Sequence, residues 1–248
     1  MEVKRDLQGF LEGHKGRSIQ QFDAEKFPFL GLFKQHISKI YPLCDDIGAI
    51  HNHIPKDRMP QDIVKGTHHT YGHEILYAID PGFRQDKDIP ISNIGFIKLY
   101  HDFIQHIKDN LFDESILFQT RPTFRIHFPN LTSNQAGLGV MHTDRQWNHP
   151  AEEINFWMPI YNCKKTASLL LESDYQTKEY EEISLEFGNI LIFDSILYHG
   201  NQINKEGYTR FSMDFRIIPR SRYVENRGQF SQCAGLEFTK GGYYSLIE

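Results

Sequence analysis

The spacing of hydrophobic residues changes near Ile116. Upstream of that position, apolar side chains recur every three or four residues, which is the period of a helix that packs one face on a core. The clearest such run follows Pro90 and Ser92 and consists of Ile94, Ile97, Phe103, Ile104, Ile107 and Leu111. The first 115 residues are therefore predicted to form helices and loops.

Downstream of Ile116, short segments rich in Phe, Ile, Leu and Thr alternate with turns. They include TFRIHFP, EINFWMPI, SLLLES, NILIFDS and TRFSMDFRIIP. At least seven strands without intervening helical signals predict a mainly β fold, a β-sandwich or jelly roll braced by N-terminal α-helices. A single domain over 1–248 is expected, with a helical support layer over 1–115, a jelly-roll core over 116–220 and a C-terminal loop wrap over 221–248.

Alternation along two of these strands separates an apolar face from a polar one. Phe124, Ile126 and Phe128 oppose Arg125 and His127, while Ile154, Phe156 and Met158 oppose Asn155 and Trp157. If the apolar faces pack on the core, an internal cavity receives Arg125, His127, Asn155 and Trp157. Glu172 of SLLLESD is an equal candidate for the cavity or for solvent.

Composition narrows the class of protein. The formal charge of −5 provides no general attraction to nucleic acid or anionic lipid, and no apolar run is long enough to span a bilayer. MEVKRDLQGF lacks the apolar segment of a signal peptide. The three cysteines lie far apart and outside any CxxC spacing, as is usual in a reducing compartment. A soluble, cytoplasmic protein is expected.

Candidate metal ligands stand in the segment GVMHTDRQWNHPAEEINFWMPI. His142 and Asp144 are two residues apart, so on a strand both side chains would point to one face. His199 in ILIFDSILYHGNQIN offers a third ligand, 199 − 144 = 55 positions beyond the aspartate. Two imidazoles and one carboxylate on one face of an octahedron form the facial triad of non-haem Fe(II) oxygenases.

A candidate carboxylate receptor follows the distal histidine. Arg210 lies 210 − 199 = 11 positions after His199, and Ser212 shares its strand face. A guanidinium can donate two parallel charge-assisted hydrogen bonds to a carboxylate, and a hydroxyl can assist it.

Together these motifs resemble a known superfamily. HTD, a distal His and an RxS about ten residues later resemble the Fe(II)/2-oxoglutarate-dependent dioxygenases. HTDRQWNHPAEEINFWMPI, SLLLESD and HGNQINKEGYTRFSMDFRIIP look like the branch of the streptomycin-biosynthesis-type dioxygenases, which is distantly similar to the phytanoyl-CoA hydroxylases. The resemblance covers roughly 116–220, and the N-terminal half carries no motif of the family.

The resemblance implies a double-stranded β-helix with Fe(II) bound by His142, Asp144 and His199. It also implies that Arg210 and Ser212 hold the co-substrate 2-oxoglutarate, which reacts with O2 to give succinate and CO2. Hydroxylation, or a related desaturation or cyclisation, is favoured over halogenation because Asp144 is present. The polar cavity residues predict a small polar metabolite, such as an amino acid, a sugar or an aminoglycoside-like compound, rather than a long-chain acyl-CoA.

Other interpretations stay open at this point. A cupin-like isomerase or lyase would share the barrel without needing the RxS pair, and a non-catalytic ligand-binding jelly roll would need no triad. A second histidine cluster in THHTYGHE consists of His68, His69, His73 and Glu74, for which a surface or lid position is expected. His149 follows a predicted turn, where solvent exposure is favoured over a lid role.

Overall fold

The computed structural model describes residues 6–54, 95–130, 141–225, 228–231 and 235–248. Three α-helices are present in these ranges: α1 Leu7–Gly13, α2 Phe29–Ile40 and α3 Gly95–Leu111. The strands are β1 Arg17–Gln21, β2 Ile116–Gln119, β3 Thr123–His127, β4 Ile154–Tyr161, β5 Leu169–Glu172, β6 Tyr180–Ile183, β7 Asn189–Asp194, β8 His199–Asn201, β9 Arg210–Pro219 and β10 Tyr244–Ile247. The protein is mainly β, as predicted.

The strands form two antiparallel sheets. The larger sheet has seven strands. Six of them follow the order β1-β7-β4-β9-β2-β10. The seventh, β3, lies on the same side of β9 as β2 and pairs with the part of β9 that β2 does not reach. The smaller sheet has three strands in the order β6-β5-β8. β9 is the longest strand and lies between β4 on one side and β2 and β3 on the other, so it lies at the centre of the larger sheet.

The helices cover the outer face of the larger sheet. Phe103 of α3 packs edge-on against Phe29 of α2 and near Phe215 of β9, and Phe156 of β4 stacks on Phe215. All of these rings are buried, because the helical period of α3 and the two-residue period of the strands place apolar side chains on facing surfaces. This core fixes the larger sheet against its helical support.

The inner face of the larger sheet packs against the smaller sheet. Trp157, Leu191 and Phe193 of the larger sheet form one buried cluster with Leu169 and Leu171 of β5. Along β9 the outward side chains are apolar, namely Phe211, Met213, Phe215 and Ile217, and all belong to the helix-covered core. The alternate, inward positions are polar from Arg210 to Arg216, where they consist of Arg210, Ser212, Asp214 and Arg216. A polar stripe therefore lies between the sheets.

Two strands lie where the sequence predicted other structure. β1 lies within the predicted helical layer and pairs with β7, from Arg17 opposite Phe193 to Gln21 opposite Asn189. β10 lies within the predicted C-terminal loop and pairs with β2. Both are short edge strands with half-buried side chains, so neither has the apolar alternation by which the central strands were found.

The predicted amphipathic helix is confirmed as α3, while Ile94 lies outside the described residues. The histidine cluster of His68, His69 and His73 with Glu74 also lies outside them. In the part of the chain that the structure describes, no helix is both long and apolar enough to cross a membrane.

Candidate metal centre

Three predicted ligands meet at the edge of the smaller sheet. His142 and His199 form an antiparallel bridge, with backbone N···O distances of 3.0 and 2.8 Å, so His142 extends this sheet beyond β8. Their rings lie 4.6 Å apart, and Oδ1 of Asp144 lies 3.3 Å from Nε2 of His199. One ligand atom from each residue falls within 4.8 Å of the other two.

The predicted strand through His142 and Asp144 is wrong, although their side chains do converge. After the bridge at His142 the chain turns into a 3-10 helix, Asp144–Trp147, with Thr143 at its N-cap. The backbone N–H of Thr143 donates to Oε1 of Gln146 at 3.0 Å. The T-x-x-Q spacing of a capping box was visible in the sequence and marks a helix start rather than a strand.

His199 has a defined orientation. Its Nδ1 lies 3.1 Å from the carbonyl oxygen of Leu197, which can only accept a hydrogen bond, so Nδ1 carries the proton. Nε2 therefore points toward Asp144. A histidine held in this way through one ring nitrogen presents the other as a metal ligand.

Asp144 is held from the opposite sheet. Its Oδ2 accepts hydrogen bonds from Nε and Nη2 of Arg216, both at 3.2 Å. Burial alone would raise the pKa of the Asp144 carboxyl, but the charges of Arg216 and His199 outweigh burial and keep the pKa well below its ordinary value. Burial likewise opposes the charge of Arg216, yet Asp144 and Asp214 raise its pKa well above the usual range. Both groups are ionised and form a pair that joins the two sheets.

A second group of polar side chains lies behind the ligands. Nδ1 of His149 lies 2.8 Å from Oε2 of Glu153, and the Tyr244 hydroxyl donates to Oε1 of Glu153 at 2.5 Å. The expected solvent exposure of His149 is wrong, because only 8% of its side chain is exposed and its ring packs on Phe238. The sequence could not reveal this, since Phe238 and Tyr244 come from the C-terminal segment.

Asp144, His149 and Glu153 could themselves hold a metal ion by proximity, because their ligand atoms also lie within 4.8 Å of one another. The guanidinium of Arg216 already occupies Oδ2 of Asp144 and would repel a second cation there. His149 and Glu153 pair with each other instead. The group of His142, Asp144 and His199 is therefore the better candidate for a metal site.

Arg210 and Ser212 lie together on the inner face of β9. Nη2 of Arg210 donates to Oγ of Ser212 at 2.9 Å, and Nη1 donates to Oδ1 of Asn201 at 2.6 Å and to the carbonyl of Ser168 at 3.2 Å. The side chain is fully buried, and its Nε has no hydrogen-bond partner. Burial lowers the pKa of Arg210, and no carboxylate within the described ranges pairs with it. The guanidinium is thus a buried cation without an anion.

Further unpartnered polar groups lie on the same inner face. Both side-chain polar atoms of Asn155 and the indole Nε1 of Trp157 are buried without a hydrogen bond, as are the hydroxyls of Ser168 and Ser195. The Trp157 ring lies 5.3 Å from the guanidinium carbon of Arg210. Buried polar groups are almost always hydrogen-bonded in native proteins, so ordered water or a polar ligand is expected to partner these atoms.

Arg125 and His127 lie on the strand face predicted for them, beside Arg210 and Ser212. In the β3–β9 register Arg125 pairs with Ser212 and His127 pairs with Arg210. Nε of Arg125 donates to Oδ1 of Asp214 at 3.0 Å, so part of its donor capacity is already used. His127 is buried.

Glu172 neither lines the predicted cavity nor faces solvent, the two positions expected for it. Its side chain is buried, and its two oxygens accept the backbone N–H groups of Lys178 at 2.8 Å and Tyr198 at 3.1 Å. The carboxylate thus ties two loops to the end of β5 and is not available to a ligand.

Arg216 and Asp214 are the residues that sequence reasoning missed. Both lie on the strand face of Arg210 and Ser212, so the alternation that identified the polar faces of β3 and β4 would also have selected them in TRFSMDFRIIP. The contact of Arg216 with Asp144 could not have been found, because the two residues are 72 positions apart in sequence.

The side chains present fit a single divalent iron ion. Two imidazoles and one carboxylate are the donor set of non-haem Fe(II) sites, and His199 and Asp144 already direct one ligand atom each to a common point. The fold and site thus define a mainly β protein with a candidate mononuclear metal centre between two sheets.

Comparison with known proteins confirms the resemblance noted in the motifs. The chain is 32% identical over 135 residues to the streptomycin biosynthesis protein StrG of Streptomyces griseus. The match covers 54% of this chain and 62% of StrG, so it spans less than two thirds of that relative. No protein-family model matches the chain.

The similar solved structures have low sequence identity to this chain. The non-heme alpha-ketoglutarate-dependent carbocyclase SnoK from nogalamycin biosynthesis overlaps 100% of this chain and 98% of its own, with a TM-score of 0.49 and 8% identity. AviO1 from Streptomyces viridochromogenes Tue57 overlaps 90% of this chain and 98% of its own, with a TM-score of 0.48 and 13% identity. Both likenesses are distant.

Proposed function

We propose that the protein is an Fe(II)- and 2-oxoglutarate-dependent oxygenase that hydroxylates a C–H bond of a small polar metabolite, with formation of succinate and CO2. Its two sheets are then those of a double-stranded β-helix, or jelly roll. The observation that carries the proposal is the combination of a His-Asp-His triplet with a buried arginine that lacks an anion. The likeness to a streptomycin biosynthesis protein supports the same function.

Each part of the site has one task in this proposal. His142, Asp144 and His199 hold Fe(II), which activates O2 when bound. Arg210 and Ser212 bind the distal carboxylate of 2-oxoglutarate, because a carboxylate there would supply the missing partner of the buried guanidinium. The Trp157 ring would pack beside this co-substrate and exclude water from it.

A cleft that includes His149, which has a ring nitrogen within 4.8 Å of an Asp144 oxygen, is proposed to admit the substrate. It has a volume of about 580 Å³ and is lined by Asn148, His149, Gly228, Gln229 and Phe230. Side-chain amides and an imidazole favour a ligand with several hydrogen-bonding groups, while the half-exposed ring of Phe230 offers one apolar surface. A small polar metabolite such as a sugar or an amino acid fits this lining better than an acyl chain.

The test is an anaerobic titration of the Fe(II)-loaded protein with 2-oxoglutarate, followed by the visible absorption of the complex. We expect saturable binding that Arg210→Met weakens by about tens to thousands of fold, which corresponds to the roughly 2–5 kcal/mol associated with losing a buried charge partner. Arg220→Met is the matched control, because Arg220 is exposed and lies one residue beyond β9. Equal binding by the Arg210 variant would refute the carboxylate role.

The same preparation separates the alternatives. Release of succinate in air, stimulated by a polar metabolite from a screened pool, would support the oxygenase. Iron binding without any response to 2-oxoglutarate would favour an isomerase-type barrel. Failure to bind iron would favour a non-catalytic binding protein, and stimulation by acyl-CoA alone would contradict the proposed substrate class.

A further inference from the structure

The two oxygens of Asp144 have different environments. Oδ1 faces Nε2 of His199 at 3.3 Å, on the side where the three candidate ligands meet. Oδ2 accepts two N–H groups from Arg216, both at 3.2 Å. A carboxylate can bind a metal through one oxygen or through both. Here Oδ2 is occupied by Arg216, and only Oδ1 has no hydrogen bond from this arginine.

Arg216 is itself fixed on its far side. Its Nη1 donates to Oδ2 of Asp214 at 2.6 Å and to Oε1 of Gln119 at 3.4 Å. Gln119 is anchored in turn, because its Nε2 donates to the carbonyl of Arg121 at 2.7 Å and to the hydroxyl of Thr123 at 3.1 Å. Every nitrogen of the guanidinium therefore has a partner, and its plane has one orientation.

Arg216 also links separate layers of the fold. It projects from β9 of the larger sheet, opposite Asn155 of β4, whereas His142 and His199 belong to the edge of the smaller sheet. Asp144 lies in the connecting 3-10 helix and has no other side-chain hydrogen bond to the larger sheet among the described contacts. The pair with Arg216 thus fixes the Oδ2 side of the carboxylate, while Oδ1 faces Nε2 of His199.

We propose that Arg216 is a positioning residue that restricts Asp144 to metal binding through Oδ1 alone and so keeps one further coordination position open. This inference rests on the proposed metal site. Two histidine nitrogens and one carboxylate oxygen leave three of six octahedral positions for other ligands, whereas a carboxylate bound through both oxygens would leave two. A chelating co-substrate and O2 together need all three.

The test counts the water ligands of a bound ion instead of measuring turnover. Mn(II) is loaded into the metal-free protein, and the broadening of its electron paramagnetic resonance lines in ¹⁷O-enriched water reports the number of bound waters. We expect Arg216→Met and Arg216→Lys each to bind one water fewer than the parent protein. Lysine keeps the positive charge but lacks the pair of N–H groups with which Arg216 contacts Oδ2. Arg216→Lys therefore tests the hydrogen-bond geometry apart from the charge.

Affinity provides an independent measurement. Removing the partner of a metal ligand typically weakens metal binding about 10–100-fold, and we expect Arg216→Lys to fall in this range for Mn(II) or Co(II). Arg220→Met is the control and should match the parent in both water count and affinity.

The outcomes are distinguishable. A parent protein that binds neither ion would overturn the proposed metal site and this inference with it. A parent that binds the ion, with Arg216→Lys unchanged in water count and affinity, would overturn only the role of Arg216. If Arg216→Met does not fold, Arg216→Lys and Asp214→Asn decide the question, and Asp214→Asn is expected to weaken binding less because it removes only one anchor of the guanidinium.

Discussion

The inner face of β9 has two ends that differ in how completely their polar groups are partnered. At one end Arg216 pairs with Asp144 and Asp214, and every nitrogen of its guanidinium is used. At the other end Arg210 is equally buried but has no anion, and its Nε has no partner. A complete network holds protein groups in place, whereas an incomplete one marks where a ligand supplies what is missing.

This difference in partners explains why Arg216 and Arg210 have different proposed roles although they share a strand and a face. Asp144 and Asp214 stabilise the charge of Arg216 in the folded protein itself. Burial disfavours the charge of Arg210, and the oxygens that accept its hydrogen bonds among the described residues are all neutral. Substitutions at the two ends should therefore differ in their balance between stability and ligand binding.

The largest effect is expected from Asp144→Ala. It removes one of three candidate metal ligands and leaves Arg216 without one of its two anions, so stoichiometric Fe(II) binding and succinate formation should fall to background. Equilibrium dialysis with Fe(II) under anaerobic conditions and a succinate assay measure the two effects. Full turnover by this variant, or by His199→Ala, would exclude the proposed triad.

Arg216→Met and Arg210→Met should then differ in their effect on the stability of the metal-free protein. Breaking a buried ion pair from one side typically costs about 3–5 kcal/mol, so Arg216→Met should lower the free energy of unfolding by that order. Arg210→Met removes a buried charge that has neutral hydrogen-bond partners but no anion, so it should lower the free energy of unfolding by less than Arg216→Met does. Urea unfolding of both variants measures the difference, and equal losses would contradict the comparison.

Asp214→Asn should reduce the dependence of stability on pH. Burial opposes ionisation of Asp214, but Arg125 and Arg216 outweigh it and lower its pKa in the folded state. A lowered folded pKa stabilises the protein above the unfolded value of about 3.9, and the contribution is lost as the pH falls through the folded pKa. Urea unfolding between neutral pH and pH 3 should therefore show a shallower loss for the variant. An unchanged slope would mean that Asp214 has the same pKa in the folded and the unfolded protein.

The smallest effect on stability is expected from Asn155→Ala. Its amide is buried without partners, and leaving such a group unsatisfied costs about 1–3 kcal/mol. Removing the amide relieves this cost but also removes the packing contacts of the side chain. The two effects oppose each other, so the free energy of unfolding should change by less than about 1 kcal/mol. If the amide faces a bound ligand, the affinity for 2-oxoglutarate or for the substrate should nevertheless fall. A large loss of stability would show that Asn155 has a structural partner.

Much of the architecture was predictable because it depends on local periodicity. The two-residue alternation in TFRIHFP and EINFWMPI assigned Arg125, His127, Asn155 and Trp157 to one face, and that face is the inner one. The three- and four-residue spacing predicted α3. Edge strands β1 and β10 were missed because a half-buried edge lacks this signal.

The sequence by itself determined the residue types at the site, their spacing and the strand faces that carry them. The tertiary structure decided which of these side chains meet. Arg216 contacts Asp144 and His149 contacts Glu153 and Phe238, while Glu172 is taken up by backbone amides of two loops. Alternation along a strand is a local property, but a contact between sheets depends on strand register and on the turns between strands, which distant parts of the chain set together.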